Sequence, residues 1–549
     1  MPAFRSTHRA PVQSGARLID PPLDAIEPLV DNNRLLRAAF DTRIGDLRLW
    51  ELITAARREL LTVAAEYTSS YREVERPEKV ADWIARPIVM GGHQPDLFHP
   101  GVWLKNFALD SYARRVGGTA VNLVVDTDRC GPPEIGVPVG DFNDASLVRV
   151  AFDARGPSAL SEAAWEERPI VDDSCFQSFA ERCGERLAPI VPEPILRRWW
   201  PVVRERASES HRLGLAIAQA RHALEGRLGT ATLELPVSEM VKLPTMMVLT
   251  GWHLSRFREL HDAINASLGD YRSARHVRGR GRPMPDLACL PGDESGAWYE
   301  IPWWMWSRER PSRRRVYANL SPAGTLTLSD LRTTRVELPI SPQTGPARWV
   351  DALSRLQEHD VRLRPRAILT TLMSRLLVAD VFVHGIGGAA YDCITDDVIR
   401  RLTGCDPPRY AVVSGTLRLP HPAADHDSRP AALERAHVRR TLRDMKYHPE
   451  RHLIPLESHP AAIQDLVAHK WQWIGTFPTP ALSRRRRQEI HDANERLAHA
   501  LDQEMERLRA LLEPLDHRVR AEKILASREF PWCFCPERTL RDFLLLESE

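Results

Sequence analysis

The chain has 549 residues, with 75 Lys and Arg against 73 Asp and Glu, 43% hydrophobic and 27% charged. That is globular composition: it excludes wholesale disorder and fibrous architecture, and the length allows roughly two to four domains. A net charge of +2 gives no global field for nucleic acid or an anionic membrane, and no apolar run approaches the roughly 18 residues of a membrane span. With no apolar leader behind Met1–Ser6 and eight irregularly spaced cysteines, a soluble cytoplasmic protein is expected. The C-x-C of Cys533 and Cys535 lacks a second ligand pair, so free thiols and no metal are expected.

Residues 1–85 read as a helical segment, with Ile26, Leu29, Val30, Leu35, Leu36, Leu47, Leu60 and Leu61 at three- and four-residue spacing. Ile88–Met90 is a strand ending at Gly91-Gly92. A helix follows over 102–116, closed by Gly117-Gly118, and then a second strand, Ala120–Val125, stops at Asp126. Strand, glycine turn, helix, strand is a βαβ unit of a parallel sheet, placing its polar clusters at the strand C-termini where ligands bind. Residues 86–155 are therefore the first part of an α/β core.

Residues 156–245 form a helical insertion carrying Trp165, Trp199 and Trp200. Residues 246–360 continue the core: Met246–Thr250 as a strand, Leu254–Leu268 as a helix, Arg272–Arg282 as a basic loop, then a β-rich insert over Trp298–Trp306 and Arg315–Leu328. Residues 361–425 contain helix Leu369–Leu377, strand Asp380–His384, a glycine loop Gly385–Tyr391 and a helix over Asp396–Leu402. This second strand–loop–helix unit is expected in the same sheet as the first. In 426–549 the apolar positions from Ile490 to Leu512 predict one long amphipathic helix over Ser483–Leu525, packed on its own domain or paired as a coiled coil.

Three clusters carry potential chemistry. Gly91–Gly101 contains Gly92, His93, Gln94 and His99 before a helix N-terminus, a setting for an anion or for proton transfer near neutral pH. Asp126-Thr127-Asp128 can bind an amine or ribose, hold a divalent cation on a diphosphate, or simply cap a turn. Gly385, Gly387 and Gly388, with Tyr391, can cradle an anion through backbone N–H groups, although neither a P-loop nor a dinucleotide fingerprint is complete. The Trp298–Trp306 aromatics read as core, and the arginine runs Arg313–Arg315 and Arg484–Arg487 as solvated surface. Arginine supplies nearly all the positive charge; Lys105 is one of six lysines, so its place after the first loop draws attention.

In these loops the chain resembles the cysteine-adding enzymes of bacillithiol synthesis (the BshC family). Gly91-Gly92-His93-Gln94-Pro95-Asp96-Leu97-Phe98-His99-Pro100-Gly101-Val102-Trp103 aligns with the family's T-G-Q-Q-x-x-L-F-x-G-P-L-Y, and Val125–Asp128 with its E-D-H-D. Arg364-Pro365, Val381–Val383 and Gly385–Tyr391 follow a later family segment in order and spacing. Departures fall at His93, Val125, Thr127 and Gly388, where the family has Gln, Glu, His and Glu.

The resemblance implies a Rossmann-like parallel sheet as in class I aminoacyl-tRNA synthetases, long helical and β insertions, and a dimerising C-terminal coiled coil. It also implies an adenine nucleotide (ATP or ADP) on the coiled-coil side and the joining of cysteine to an amino-sugar conjugate; Mg²⁺ is expected beside the nucleotide, and the balanced charge and hydropathy imply no nucleic acid or membrane partner. In that scheme His93 and His99 stabilise charge on an activated carboxylate. Asp126 and Asp128 hold the attacking ammonium, with Asp128 accepting the proton; Gly92, Gln94 and Tyr391 bind substrate, and Gly385, Gly387 and Gly388 form the opposite wall. A metal-dependent nucleotide-sugar glycosyltransferase using Asp126-Thr127-Asp128, and a non-catalytic dimeric scaffold, are the alternatives.

Overall fold

A computed structural model describes residues 8–74, 80–279, 284–292, 296–321, 324–420 and 430–546. It divides into two compact units: the first comprises Met1–Gly136, Arg149–Leu417 and Arg528–Glu549, the second Val137–Val148 and Arg418–Ser527. Among the described residues no helix is long and apolar enough to cross a membrane.

A mixed six-stranded sheet organises the first unit. Across it the strands run Arg17–Asp20, Ala411–Gly415, Val381–His384, Ile88–His93, Thr119–Val124 and Leu233–Pro236. The last five are mutually parallel and Arg17–Asp20 is an antiparallel edge. From Ile88–His93 the chain winds outward through Thr119–Val124 to Leu233–Pro236, then returns to the other side with Val381–His384 and Ala411–Gly415. The order therefore reverses between the two strands that the sequence marks with glycine turns, which is where doubly wound sheets bind ligands, outside the strand C-termini.

Both faces are covered. Ile88, Met90, Val121, Leu123, Leu233 and Leu235 join one apolar cluster with Leu52, Leu60 and Leu61 of helix Leu49–Ser69. On the opposite face Gly91 lies against Leu109 of helix Pro100–Arg115. That helix starts where Pro100 presets φ and the His99 Nδ1 caps the Gly101 N–H at 3.1 Å; Gly117, at φ 60°, follows its end. Gly101 has no alternative, because a Cβ there would stand 2.0 Å from the Gly415 carbonyl oxygen. Gly101→Ala is expected to cost about 3 kcal/mol by forcing two backbones apart, read as a lower urea midpoint.

The β-rich insert is an antiparallel sheet ordered Arg335–Leu338, Leu326–Ser329, Arg314–Leu320, Trp298–Ser307 and Val361–Pro365. A register shift between Ile301 and Trp304 re-aims the tryptophans. Trp303 and Trp306 are buried, while Trp304 is half-buried beside the arginines of neighbouring strands.

The structure corrects several sequence expectations. Met246–Thr250 lies inside helix Pro244–Ser255, with Pro244 at its first position; five apolar residues fit a buried helix as well as a strand. The glycine loop Gly385–Tyr391 is the beginning of helix Ile386–Thr403, so Gly387, Gly388 and Tyr391 are helical. The single long helix over Ser483–Leu525 is three helices, Ser483–His499, Asp502–Ala510 and Leu512–Leu525. Within the second unit the first two help build a cluster of Met445, Leu453, Val467, Leu497, Leu501 and Met505, and the third lies along helix Pro430–Tyr447, where Arg435 donates to Asp516 at 2.7 Å. Of the basic loop Arg272–Arg282, residues 280–282 lie outside the described residues, and 272–275 finish helix Phe257–Arg275.

Candidate active site

Two of the three clusters come together at the C-terminal edge of the sheet. The Gln94 side-chain amide donates to Asp128 Oδ2 at 2.7 Å, joining the loop after Ile88–His93 to the loop after Thr119–Val124. Asp128 Oδ1 accepts the Arg129 N–H and an Arg313 N–H, both at 2.8 Å, and the side chain keeps 41% of its surface exposed. It is a pre-oriented acceptor open to solvent.

Asp126 is placed differently. Its carboxyl group is buried, and its oxygens accept the Ser238 N–H at 3.0 Å and the Ser238 hydroxyl at 2.5 Å. It ties the ends of adjacent strands together and does not face an incoming amine. Burial, with Glu166 nearby, pushes its pKa up to about 7.

The histidines are held neutral. Burial lowers His93 to about 3, and its Nδ1–H donates to the Gln94 carbonyl at 3.1 Å, leaving Nε2 as an acceptor. His99, lowered to about 4 chiefly by burial, uses Nδ1 to cap Gly101, and Glu529 lies 3.8 Å from its Nε2. The Phe98–Gly101 segment is also clasped by the C-terminal return, where the Trp532 N–H donates to the Phe98 carbonyl at 2.9 Å. Neither imidazole offers positive charge near pH 7, and His99 serves the helix start.

Lys105, on the first helix, is the residue whose importance the sequence only hinted at. It is buried, its Nζ donates to the Gly92 carbonyl at 2.5 Å, and among the described residues no carboxylate pairs with it. Burial and the neighbouring Arg221 depress its pKa from 10.5 to about 7. Between those values the unfolded chain binds the extra proton, so this group makes stability rise with pH from about 7 towards 10.5. Lys105→Met should abolish that rise. At pH 6 it should add about 2 kcal/mol: about 4–5 from removing a buried cation, less about 2–3 for the carbonyl left unpaired. Thermal unfolding of both proteins across pH 6–9 checks this.

Gly385 is the N-cap of its helix without a side-chain cap, and Gly387 and Gly388 are exposed in the first turn. Tyr391 is 51% exposed. Among the described residues no hydrogen bond or ion pair links them to Gln94 or Asp128. Behind them His384 Nε2 lies 2.8 Å from Asp392, which also pairs with Arg375 at 2.5 Å.

The β insert supplies residues that sequence reasoning assigned to surface and core. Arg313 holds Asp128, and its guanidinium lies 4.8 Å from the Trp304 ring centre, with that of Arg366 at 4.3 Å. Arg364 grips Glu166 through two bonds of 2.9 and 3.1 Å, fastening the insert beside the Asp126 loop.

A cleft of about 1230 Å³ lies at the opposite, N-terminal edge of the sheet, lined by Arg72, Asp110, Arg114, Thr119 and Thr232, away from these loops. His222, Glu225 and Glu234 have metal-ligand spacing, but the Arg221 guanidinium bridges the two carboxylates and takes the place of a cation. No family model matches the chain, and no curated protein is similar enough to it to register a match.

Proposed function

We propose that this chain is an amide-forming ligase on an interrupted Rossmann-like core, joining a cysteine-like amino acid to the amine of a small conjugate such as an amino sugar. The observation that carries this reading is the Gln94–Asp128 bond. It unites, at strand C-termini, the two loops that resemble the cysteine-adding enzymes, with Asp128 oriented and exposed. Asp128 binds the attacking ammonium and takes its proton; Gln94 and Arg313 fix the carboxylate. Lys105 positions the Gly92 carbonyl and thereby the His93–Gln94 turn.

An adenine nucleotide with Mg²⁺ would supply activation of the carboxyl group. The residues fit an anionic oxygen at the uncapped helix start, where a Cβ at Gly385 or Gly387 would meet open space. A cytosolic homodimer formed through the C-terminal helices completes the proposal.

The glycosyltransferase alternative fits less well. A D-x-D cation site draws on both carboxylates, whereas Asp126 is buried with both its oxygens taken by Ser238.

The test is incubation of the purified protein with cysteine, glucosaminyl-malate and Mg·ATP, followed by mass spectrometry. The condensed thiol is the expected product. Its absence from a folded sample removes this substrate pair, and binding without turnover points to the scaffold alternative.

A further inference from the structure

We propose that His384 is a phosphoryl acceptor: its Nδ1 attacks the terminal phosphorus of a nucleoside triphosphate at the start of helix Ile386–Thr403 and carries the phosphoryl group as a phosphohistidine. The inference rests on the nucleotide position proposed above and adds the residue that reacts there.

His384 ends strand Val381–His384, beside the reversal of strand order. Its side chain is 8% exposed and held from several sides. Nε2 donates to Asp392 at 2.8 Å, the Tyr410 ring stands edge-on with centres 5.1 Å apart, and the Phe382 ring lies at 4.7 Å. An ionised carboxylate only accepts, so in the neutral ring the proton sits on Nε2 and Nδ1 keeps its lone pair. Nδ1 has no hydrogen-bond partner among the described residues.

The way to Nδ1 is open through Gly388. The place a Cβ would take there lies 2.9 Å from Nδ1, and the next side-chain atoms to it are the Cγ and Cβ of His384 itself, at 3.5 and 3.6 Å. Gly388 is exposed, and a Cβ at Gly385 or Gly387 would meet nothing within 4 Å. An atom arriving from solvent can therefore stand beside Nδ1, in a place that any side chain at 388 would occupy. Glycines at 385, 387 and 388 weaken a helix start that Ser, Asp or Glu would strengthen, and no side chain caps it. The free N–H groups instead face the oxygens of an attacked phosphoryl group.

Behind the ring Arg375 pairs with Asp392 at 2.5 Å and Asp396 at 2.6 Å, so two carboxylates outnumber their shared guanidinium. Against burial, Arg375 and His384 hold Asp392 down at about 2, and it stays ionised. Its charge orients the imidazole and offsets the positive charge the ring acquires as the N–P bond forms. In that step the Nδ1 lone pair makes the N–P bond. The P–O bond to the departing nucleoside diphosphate breaks with its electron pair on oxygen, and the Nε2 proton stays on the ring. A substrate carboxylate oxygen then takes the phosphoryl group, the N–P electrons return to Nδ1, and the acyl phosphate is the activated carboxyl group.

The experiment incubates the full chain with Mg·ATP radiolabelled in its γ-phosphate, and in parallel with phosphoramidate, which phosphorylates imidazoles without a nucleotide. Label is counted after acid and after alkali and located by peptide mass spectrometry. Wild type should carry label on the His384 peptide that acid removes and alkali keeps. His384→Gln and Gly388→Ala should each incorporate at least about tenfold less. Gly388→Ala puts a methyl group in the place beside Nδ1 while favouring the helix, so it carries the test should near-UV circular dichroism show His384→Gln misfolded. No acid-labile label on wild type from either donor overturns the phosphohistidine, and so does label undiminished in a folded variant. Label from phosphoramidate but not from ATP overturns the nucleotide as donor. Neither cysteine nor amine is present, so failure of amide formation and failure of phosphoryl transfer are read separately.

Discussion

Asp380→Asn is expected to destabilise the protein by about 3–5 kcal/mol, a loss read as a reduced urea midpoint at unchanged slope. Asp380 is 1% exposed and stands at the start of strand Val381–His384. Its carboxylate accepts from Arg37 and Arg57, each at 3.0 Å, and from the Ile88 N–H at 2.7 Å. Through it the helices Ile26–Ala38 and Leu49–Ser69 are anchored to the sheet at the point where the strand order reverses. Both guanidiniums are themselves buried, and burial lowers Arg37 to about 10 even beside its partner. Neutralising the carboxylate leaves two desolvated cations without a counter-charge, which costs far more than the three contacts would contribute on a surface. A change below about 1 kcal/mol would mean that water reaches these groups.

Acid is expected to unfold the protein steeply below pH 6.5. His93, His222 and His253 are lowered to about 3 and His99 to about 4, in each case first by burial. Their folded pKa values lie below the unfolded 6.5, so between those values the unfolded chain binds more protons and stability falls as pH falls. Asp126, raised to about 7, works in the opposite direction below that pH, and so do Asp96, Asp110 and Asp396, raised by burial. Over pH 7 to 5 the histidines dominate, and the net loss is on the order of 5 kcal/mol. His253 isolates one contribution, because both ring nitrogens are buried without a partner among the described residues. His253→Leu should flatten the pH dependence by about 1.4 kcal/mol per pH unit below 6.5. An unchanged slope would mean that this imidazole finds a proton partner.

Much of the sheet was legible because its chemistry is local. Apolar runs ending in glycine or aspartate located Ile88–His93, Thr119–Val124 and Val381–His384, and Gly117-Gly118 marked the end of the intervening helix, whose start at Pro100 falls two residues earlier than the apolar pattern shows. Arg17–Asp20 and Leu233–Pro236 escaped notice because four residues make no pattern, and Glu234 interrupts the second with a buried charge that Arg221, Asn122 and Tyr71 make tolerable. Glycine content disguised the start of helix Ile386–Thr403, since glycine is read as a loop signal even where a helix begins at a strand end.

The candidate site was legible in its loops but not in its pairings. D-x-D gives no hint that Asp126 turns inward to Ser238 while Asp128 turns outward to Gln94. Arg313 reads as one of a solvated triplet; only the fold places it on Asp128 and Trp304. Lys105 left one faint signal, its rarity among so many arginines.

In the proposed reaction Asp128 does the acid–base work of an amide-forming site at the strand C-termini. Its most direct test is the rate of condensed-product formation by Asp128→Ala beside wild type, with matched near-UV circular dichroism. A fall of about 10²–10⁴ is predicted. A folded variant that forms product at the wild-type rate would contradict the assignment and move the chemistry elsewhere in the molecule.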